Sequence, residues 1–142
     1  MAANRDRTVS RAIHPLHAAL LAGFVPLYIG AVLSDLAYRG TYEIQWSNFA
    51  AWLLAGAMVL TGLTLAWALV DLVRAQQRTG RALLYALLVL AVFIVGLLDC
   101  FVHAKDAWAV MPGGLVLSLI VAALAIAAAA AGLSSLRTRV PA

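Results

Sequence analysis

The chain has 142 residues, of which 65% are hydrophobic and 11% charged, and its mean hydropathy is +0.97. Because soluble domains are roughly half apolar and roughly one quarter charged, this composition excludes an ordinary soluble domain and indicates a membrane protein. The net charge of +4 does not indicate binding to nucleic acid, since the arginines are divided among the connections between apolar segments.

Four long apolar segments follow one another, each close to the roughly 20 residues that a helix needs to cross a bilayer. They cover residues 13–37, 49–73, 82–102 and 109–133. A polar tail, residues 1–11, precedes the transmembrane domain, residues 12–136, and a basic tail, residues 137–142, follows it. The sequence therefore predicts an all-α integral membrane bundle of four transmembrane helices with up-down-up-down topology.

The charges alternate between successive connections. Eight arginines lie before the first segment, between the second and third, and after the fourth: Arg5, Arg7, Arg11, Arg74, Arg78, Arg81, Arg137 and Arg139. The other two connections hold Arg39 with Glu43, and Lys105 with Asp106. Because cytoplasmic loops carry the excess of Lys and Arg, both termini should be cytoplasmic. The single cysteine, Cys100, excludes an intramolecular disulfide and a cysteine-cluster metal site.

The first helix should begin at the motif HPLH, residues 14–17. Ser10 or His14 could cap it, and Pro15 suits the first turn, where its missing N–H costs nothing. His17 would lie near the positive end of the helix dipole, which favours a neutral imidazole able to accept a hydrogen bond or bind a metal. The motif is therefore either a helix start with interfacial histidines or half of a site completed by another helix.

His17 and Asp35 are 18 residues apart, about five helical turns, so they share one face at a separation of about 27 Å along the axis. Phe24, Tyr28 and Ala31 fall on the same stripe, which should face the bundle because ionisable residues in a span normally do. A second stripe is small enough for another helix to approach closely; it comprises Ala19, Gly23, Pro26, Gly30 and Ser34.

The next connection is expected to be the polar loop YRGTYEIQWSN, residues 38–48, with Ser47 or Asn48 capping the second helix. Four aromatic residues suit either the lipid interface or the docking of a periplasmic partner; they are Tyr38, Tyr42, Trp46 and Trp108. In the last segment, the proline and glycines at 112–114 suggest that the fourth helix begins near Leu115. Its high alanine content indicates close packing.

The third helix carries a continuous seam at helical spacing: Tyr85, Val89, Val92, Gly96, Asp99 and His103. Asp99 and His103 are i, i+4 neighbours, and Asp35 should lie at the same membrane surface. These three residues are candidates for a divalent metal site or a proton-exchanging site. The alternatives are an interfacial Asp–His pair exposed to water and a structural polar network.

At the opposite surface, Asp71 ends the second helix, where the helix dipole disfavours a carboxylate, so a partner such as His17 or an arginine is expected. A haem held by two histidines is not expected within one chain, because His14 and His17 share one helix turn and His103 lies at the far surface. A homodimer could supply His17 twice. No motif for hydrolysis, phosphate binding or dinucleotide binding occurs, so no catalytic residue or activity of the chain alone is expected. The sequence leaves the cofactor open, with a haem or a divalent metal ion as the alternatives to none.

The chain resembles a widespread bacterial family of four-helix membrane proteins that is catalogued as a domain of unknown function. The motifs that carry the resemblance are HPLH, LLAG at 53–56, ALVD at 68–71, TYEIQWSNFAAWLLAG and FVHAKDAWAVMPGGLVLS. The family pattern has its polar and glycine marks at His14, Pro15, Asp35, Gly56 and Asp71. The chain departs from it at RALLY, where many members carry a histidine, and at AGLSS, where they carry a Gly-Gly segment.

The resemblance implies a multi-pass protein of the bacterial inner membrane, and it suggests a periplasmic redox protein as partner. The sequence thus favours a non-catalytic membrane subunit, anchor or scaffold for such a partner. A homo-oligomer of the chain is a further expected assembly. The alternative is a small redox or ion- and proton-handling module that uses the intramembrane histidines and aspartates. This alternative requires the candidate side chains to converge.

Overall fold

The structure is a computed structural model that describes residues 14–74 and 80–134. Its four long helices are α1 (Pro15–Thr41), α2 (Ile44–Arg74), α3 (Gly80–His103) and α4 (Gly113–Ser134), and a short 3₁₀ helix, Ala107–Ala109, precedes α4. All four are long and apolar enough to cross a membrane, and the described residues form no strand. The predicted all-α bundle of four membrane-spanning helices is confirmed.

Each helix packs against the next along the chain, and α4 packs against α1, so the four helices close into a ring. One end of the bundle, here called the Tyr42 end, carries the α1–α2 and α3–α4 connections. The other, the His14 end, carries the start of α1 and the end of α4. The predicted tails, residues 1–11 and 137–142, lie outside the described residues, as do Ser10 and all the listed arginines except Arg39, Arg74 and Arg81.

The α1–α2 connection is much shorter than the predicted loop of residues 38–48. Tyr42 adopts a left-handed conformation (φ 55°) and its N–H donates to the Tyr38 carbonyl at 2.7 Å. The Thr41 hydroxyl donates to the Ala37 carbonyl at 2.8 Å and accepts the Glu43 N–H at 3.2 Å. These bonds satisfy backbone groups at the helix end, so the chain reverses within residues 42–43.

The prediction that Ser47 or Asn48 caps α2 is wrong, because α2 begins at Ile44 and Ser47 is buried within its first turns. Polar residues here extend the helix beyond the apolar segment rather than forming a loop. The start of α1 is as predicted: Pro15 occupies the first turn, and Nδ1 of His14 accepts the Leu16 N–H at 3.3 Å. Helix α4 begins at Gly113, two residues before Leu115.

The predicted stripe on α1 faces the core, since Phe24, Tyr28 and Ala31 are fully buried. The small-residue stripe is partly correct. A Cβ atom at Gly23 would lie 2.8 Å from Leu60 Cδ1, and one at Gly30 would lie 3.1 Å from Leu53 Cδ1, so these glycines let α2 approach α1 closely. Ala19 and Pro26 of the same stripe are instead exposed.

Candidate functional site

Four polar side chains meet inside the Tyr42 end of the bundle. Asp35 comes from α1, Asp99 and His103 from α3, and Ser118 from α4. Asp35, Asp99 and Ser118 are completely buried, and His103 is 7% exposed. Because ionisable groups are rarely buried unless they are paired, the contacts among these four residues decide what the site can do. We call them the buried polar cluster.

His103 joins the two carboxyl groups. Its Nε2 lies 2.9 Å from Asp35 Oδ1. Its Nδ1 lies 3.0 Å from the backbone carbonyl of Asp99, one turn earlier on α3, and 3.1 Å from Asp99 Oδ1. Only the carbonyl contact has hydrogen-bond geometry; Asp99 Oδ1 remains without a hydrogen-bond partner despite the short distance to Nδ1. Since a carbonyl oxygen can only accept, Nδ1 carries a hydrogen.

Ser118 joins the same two carboxyl groups from the other side. Its Oγ lies 2.6 Å from Asp35 Oδ2 and 2.8 Å from Asp99 Oδ2. The three helices α1, α3 and α4 are thereby tied together by direct bonds. Sequence reasoning based on ionisable residues does not find Ser118. The available signal is that Ser118 is the only polar side chain between Gly114 and Leu133.

The structure thus brings together the three residues predicted for this surface, and their burial excludes the alternative of an Asp–His pair exposed to water. His103 contacts both carboxyl groups directly, at 2.9 Å for Asp35 and 3.1 Å for Asp99. Across the described residues, no group of three or more His, Cys, Asp or Glu side chains is arranged to hold a metal ion.

The site at the middle of the bundle centres on Tyr28. Its hydroxyl lies 3.2 Å from Thr61 Oγ1 and 3.5 Å from the sulfur of Met58. The Thr61 hydroxyl donates its hydrogen to the Ala57 carbonyl at 2.8 Å. Tyr28 is therefore the donor in its contact with Thr61. Gly96 makes room for this hydroxyl, because a Cβ atom there would lie 2.7 Å from it.

The histidines of HPLH have different roles at the His14 end. His14 is the exposed N-cap of α1. His17 is buried, and its Nε2 lies 2.9 Å from the Tyr85 hydroxyl. The Trp67 ring lies 5.5 Å from the His17 ring, centroid to centroid. Nδ1 of His17 has no hydrogen-bond partner among the described residues.

His17 is bonded to Tyr85 and not to Asp71, for which His17 or an arginine is the partner expected from the sequence. Asp71 is exposed and makes no hydrogen bond to His17 within the described chain. The physical reason is that Asp71 points away from the core near the end of α2, where water can solvate it, while the Tyr85 hydroxyl occupies the His17 nitrogen. Sequence reasoning places Tyr85 on the α3 seam but does not identify it as the partner.

Three of the four aromatic residues predicted for the lipid interface or for docking form a connected group at the Tyr42 end. Tyr38 is 1% exposed, so its ring packs inside the bundle and does not face lipid. It contacts the ring of Tyr42 edge-on at 5.6 Å, and Tyr42 stacks on Trp108 at 5.8 Å with an interplanar angle of 17°. Trp108 is 75% exposed, whereas Trp46 is half-buried beside Phe49.

An apolar layer separates the His17–Tyr85 pair from the Tyr28–Thr61 pair at the middle of the bundle. Leu21 and Phe24 on α1 and Val89 and Val92 on α3 belong to the hydrophobic core and are completely buried. In sequence they lie between His17 and Tyr28 on α1, and between Tyr85 and Gly96, which faces the Tyr28 hydroxyl, on α3. In the part of the chain that the structure describes, no side-chain hydrogen bond links the His17–Tyr85 pair to the Tyr28–Thr61 pair.

Four membrane-length helices arranged around a buried polar cluster define a polytopic membrane protein of the four-helix type. The chain belongs to the family described as "Predicted membrane protein (DUF2231)", whose model matches residues 13–137. The suspected membership of a four-helix membrane family of unknown function is thereby confirmed. No curated protein and no solved structure matches the chain.

Proposed function

We propose that this protein is a proton-handling membrane module that binds and releases protons at the buried polar cluster. The single observation that supports the proposal is the convergence of Asp35, Asp99, His103 and Ser118 at distances of 2.6–3.1 Å. Sequence reasoning alone favours an anchor or scaffold. The proton-handling alternative requires the candidate side chains to converge, and Asp35, Asp99 and His103 do so.

The chemistry of the cluster favours protons over metal ions as the bound species. The cluster holds an imidazole and two carboxyl groups, which are acid–base groups, and a hydroxyl that can donate to one neighbour while accepting from another. These atoms lie 2.6–3.1 Å from one another, which is the spacing of groups that bond through hydrogens. Among the described residues, no group of three or more His, Cys, Asp or Glu side chains is arranged to hold a metal ion. A proton fits this spacing without moving a helix.

Access is proposed from the Tyr42 end alone. The cluster lies near that end, since His103 is the last residue of α3. Farther from that end, the apolar side chains of Leu21, Phe24, Val89 and Val92 lie between the Tyr28–Thr61 pair and the His17–Tyr85 pair. A hydrogen-bonded path across the bundle would need polar groups or water in this interval. We therefore propose a buried proton-binding site that exchanges protons with one membrane surface, without transport from one side to the other.

The arginine distribution supports the orientation that belongs to this proposal, with both termini in the cytoplasm and the Tyr42 end in the periplasm of a bacterial inner membrane. Single cysteines test it in a Cys100→Ala background: one at Glu43 should react in whole cells with a membrane-impermeant maleimide. One at Gln77 should react only after permeabilisation. The reverse labelling would overturn the orientation.

The proposed function is tested by infrared difference spectra of the purified, lipid-reconstituted protein between mildly acidic and mildly alkaline buffer. A carboxyl C=O band that changes with pH is expected, and it should be absent from the Asp35→Asn/Asp99→Asn double variant. The matched control is Asp106→Asn, since Asp106 is exposed and lies outside the cluster. A wild-type spectrum identical to that of the folded double variant would reject proton handling.

An anchor for a periplasmic partner is the second candidate, and the Tyr42–Trp108 stack favours it. These exposed rings join the α1–α2 and α3–α4 connections, and aromatic residues are enriched at protein interfaces. In-cell crosslinking from position 108 should capture a partner, including a second copy of this chain in a homo-oligomer. Position 52, where Trp52 is 79% exposed on the side of α2, is the control; equal labelling at both positions would indicate lipid contact alone.

A further inference from the structure

The hydrogens available to the buried polar cluster can be counted from its contacts. Four hydrogen bonds join its members: His103 Nδ1 to the Asp99 carbonyl, His103 Nε2 to Asp35, and Ser118 Oγ to each carboxyl group. Each bond requires one hydrogen. A neutral histidine and one serine hydroxyl supply only two, so two more hydrogens must come from acid–base chemistry.

The net charge of the cluster also indicates that two protons are added to it. With a neutral histidine and two ionised carboxylates, the site would hold two negative charges in a nearly water-free environment, which is costly. Adding two protons satisfies all four bonds and makes the cluster electrically neutral. Two neutral arrangements meet both conditions: an imidazolium with one carboxylate and one carboxylic acid, or a neutral imidazole with two carboxylic acids.

The two carboxyl groups differ in their contacts. Ser118 Oγ lies 2.6 Å from Asp35 Oδ2 and 2.8 Å from Asp99 Oδ2, and both distances are ordinary for O–H···O bonds. Asp35 also receives His103 Nε2 on its other oxygen, so both of its oxygens are positioned to accept.

The two oxygens of Asp99, unlike those of Asp35, are not both positioned to accept hydrogen bonds. Asp99 Oδ1 is completely buried and has no hydrogen-bond partner. His103 Nδ1 lies 3.1 Å away, but that nitrogen donates its hydrogen to the Asp99 carbonyl. An unpaired oxygen is much less costly on a neutral acid than on a carboxylate, because the desolvation penalty is larger for charged groups. The remaining oxygen, Oδ2, lies beside Ser118, whose single hydrogen is already directed to Asp35.

We infer that Asp99 is held as a neutral carboxylic acid whose Oδ2–H donates to Ser118, while Asp35 is a carboxylate bonded to an imidazolium at His103. This inference rests on the proposed function and names the residue that carries the exchangeable proton. Release breaks the Asp99 O–H bond, gives the proton to water, and leaves its electron pair on Asp99. Ser118 then has two anionic neighbours and one hydrogen, and the cluster carries one negative charge.

Infrared spectra of the full-length protein in lipid, recorded at neutral pH in H₂O and in D₂O, test this assignment. The chain has only six acidic residues, so a protonated carboxyl band that shifts in D₂O can be assigned by single substitutions. The band is expected in the wild type, in Asp35→Asn and in Asp106→Asn, and it should be lost in Asp99→Asn. The asparagine amide preserves the hydrogen donated to Ser118, so Asp99→Asn should remain folded.

The outcomes separate the inference from the proposed function. A band that is lost in Asp99→Asn supports the inference, even if it does not respond to pH, in which case proton handling fails while the assignment stands. A pH-responsive band lost in Asp35→Asn and retained in Asp99→Asn overturns the assignment but not proton handling. If Asp99→Asn does not fold, ¹³C labelling of the aspartate carboxyl groups in wild type and Asp35→Asn gives the decision: only ionised carboxyl signals would overturn the inference.

Discussion

Gly114 lies directly behind the imidazole of His103. A Cβ atom at position 114 would lie 2.9 Å from His103 Cε1 and 2.6 Å from Val110 Cγ1. His103 cannot move aside freely, because both of its ring nitrogens are bonded, one to Asp35 and one to the Asp99 carbonyl. The glycine at the start of α4 thus determines where the histidine of α3 can lie.

Gly114→Ala should therefore destabilise the bundle, by about 1–3 kcal/mol for an overpacked site. It should also displace His103 from Asp35. Thermal unfolding in mild detergent measures the first effect. The neighbouring Gly113→Ala is the control, since nothing lies within 4 Å of a Cβ atom there; equal destabilisation of both variants would show that backbone conformation, and not the His103 contact, is responsible.

Ser118→Ala should cost about 1–3 kcal/mol, because it leaves buried oxygens of Asp35 and Asp99 without their partner. The measurement is the free energy of unfolding in detergent. Ser134→Ala provides the comparison, as Ser134 is exposed and bonds only the nearby Ala131 carbonyl. A Ser118→Ala variant as stable as Ser134→Ala would mean that the serine bridge contributes nothing to stability.

Gly96→Ala should be destabilising, because the new Cβ atom would lie 2.7 Å from the Tyr28 hydroxyl and 2.8 Å from the Met58 sulfur. Removing that hydroxyl with Tyr28→Phe should relieve part of the loss, so the two changes should not be additive. Unfolding free energies of the two single variants and the double variant measure this coupling. Gly56→Ala, with its nearest contact at 3.6 Å, should be tolerated, and strict additivity would contradict the predicted contact.

Tyr85→Phe should lower stability by about 1 kcal/mol, since it removes the hydrogen bond to His17 Nε2. Tyr42→Phe is the matched control: Tyr42 is 53% exposed and its ring stacking is retained. Asp71→Asn should change the stability little, because Asp71 is exposed. A larger loss in Asp71→Asn than in Tyr85→Phe would restore the His17–Asp71 pair as the dominant interaction.

The fold can be predicted from the sequence because the bilayer imposes a length and a polarity on every spanning helix. The four apolar segments, the buried seam of α3 and the cap at His14 all follow from local patterns. The ends of α1 and α2 are less predictable. Residues 38–48 look like a loop by composition, but helices can extend past the apolar region, where Thr41 and Tyr42 close the turn.

The site can be predicted only in part, for a related reason. Helical spacing and the cost of burying charge place Asp35, Asp99 and His103 together at one end. They do not reveal Ser118, because a hydroxyl can satisfy itself on its own helix and so carries little positional information. The same two arguments do not identify the partner of His17. Tyr85 on α3 and Asp71 on α2 are equally plausible partners until the rotation of each helix about its axis is known.

The cluster joins residues that are far apart along the chain, since 68 positions separate Asp35 from His103 and 83 separate it from Ser118. Proteins are synthesised from the N-terminus, so α1 is made and delivered to the membrane well before α4 exists. During that interval Asp35 has none of its partners, in a medium where an unpaired polar group is costly. Nascent chains that stop before Ser118 therefore differ chemically from finished ones, which gives the machinery of membrane protein quality control a feature by which to recognise them.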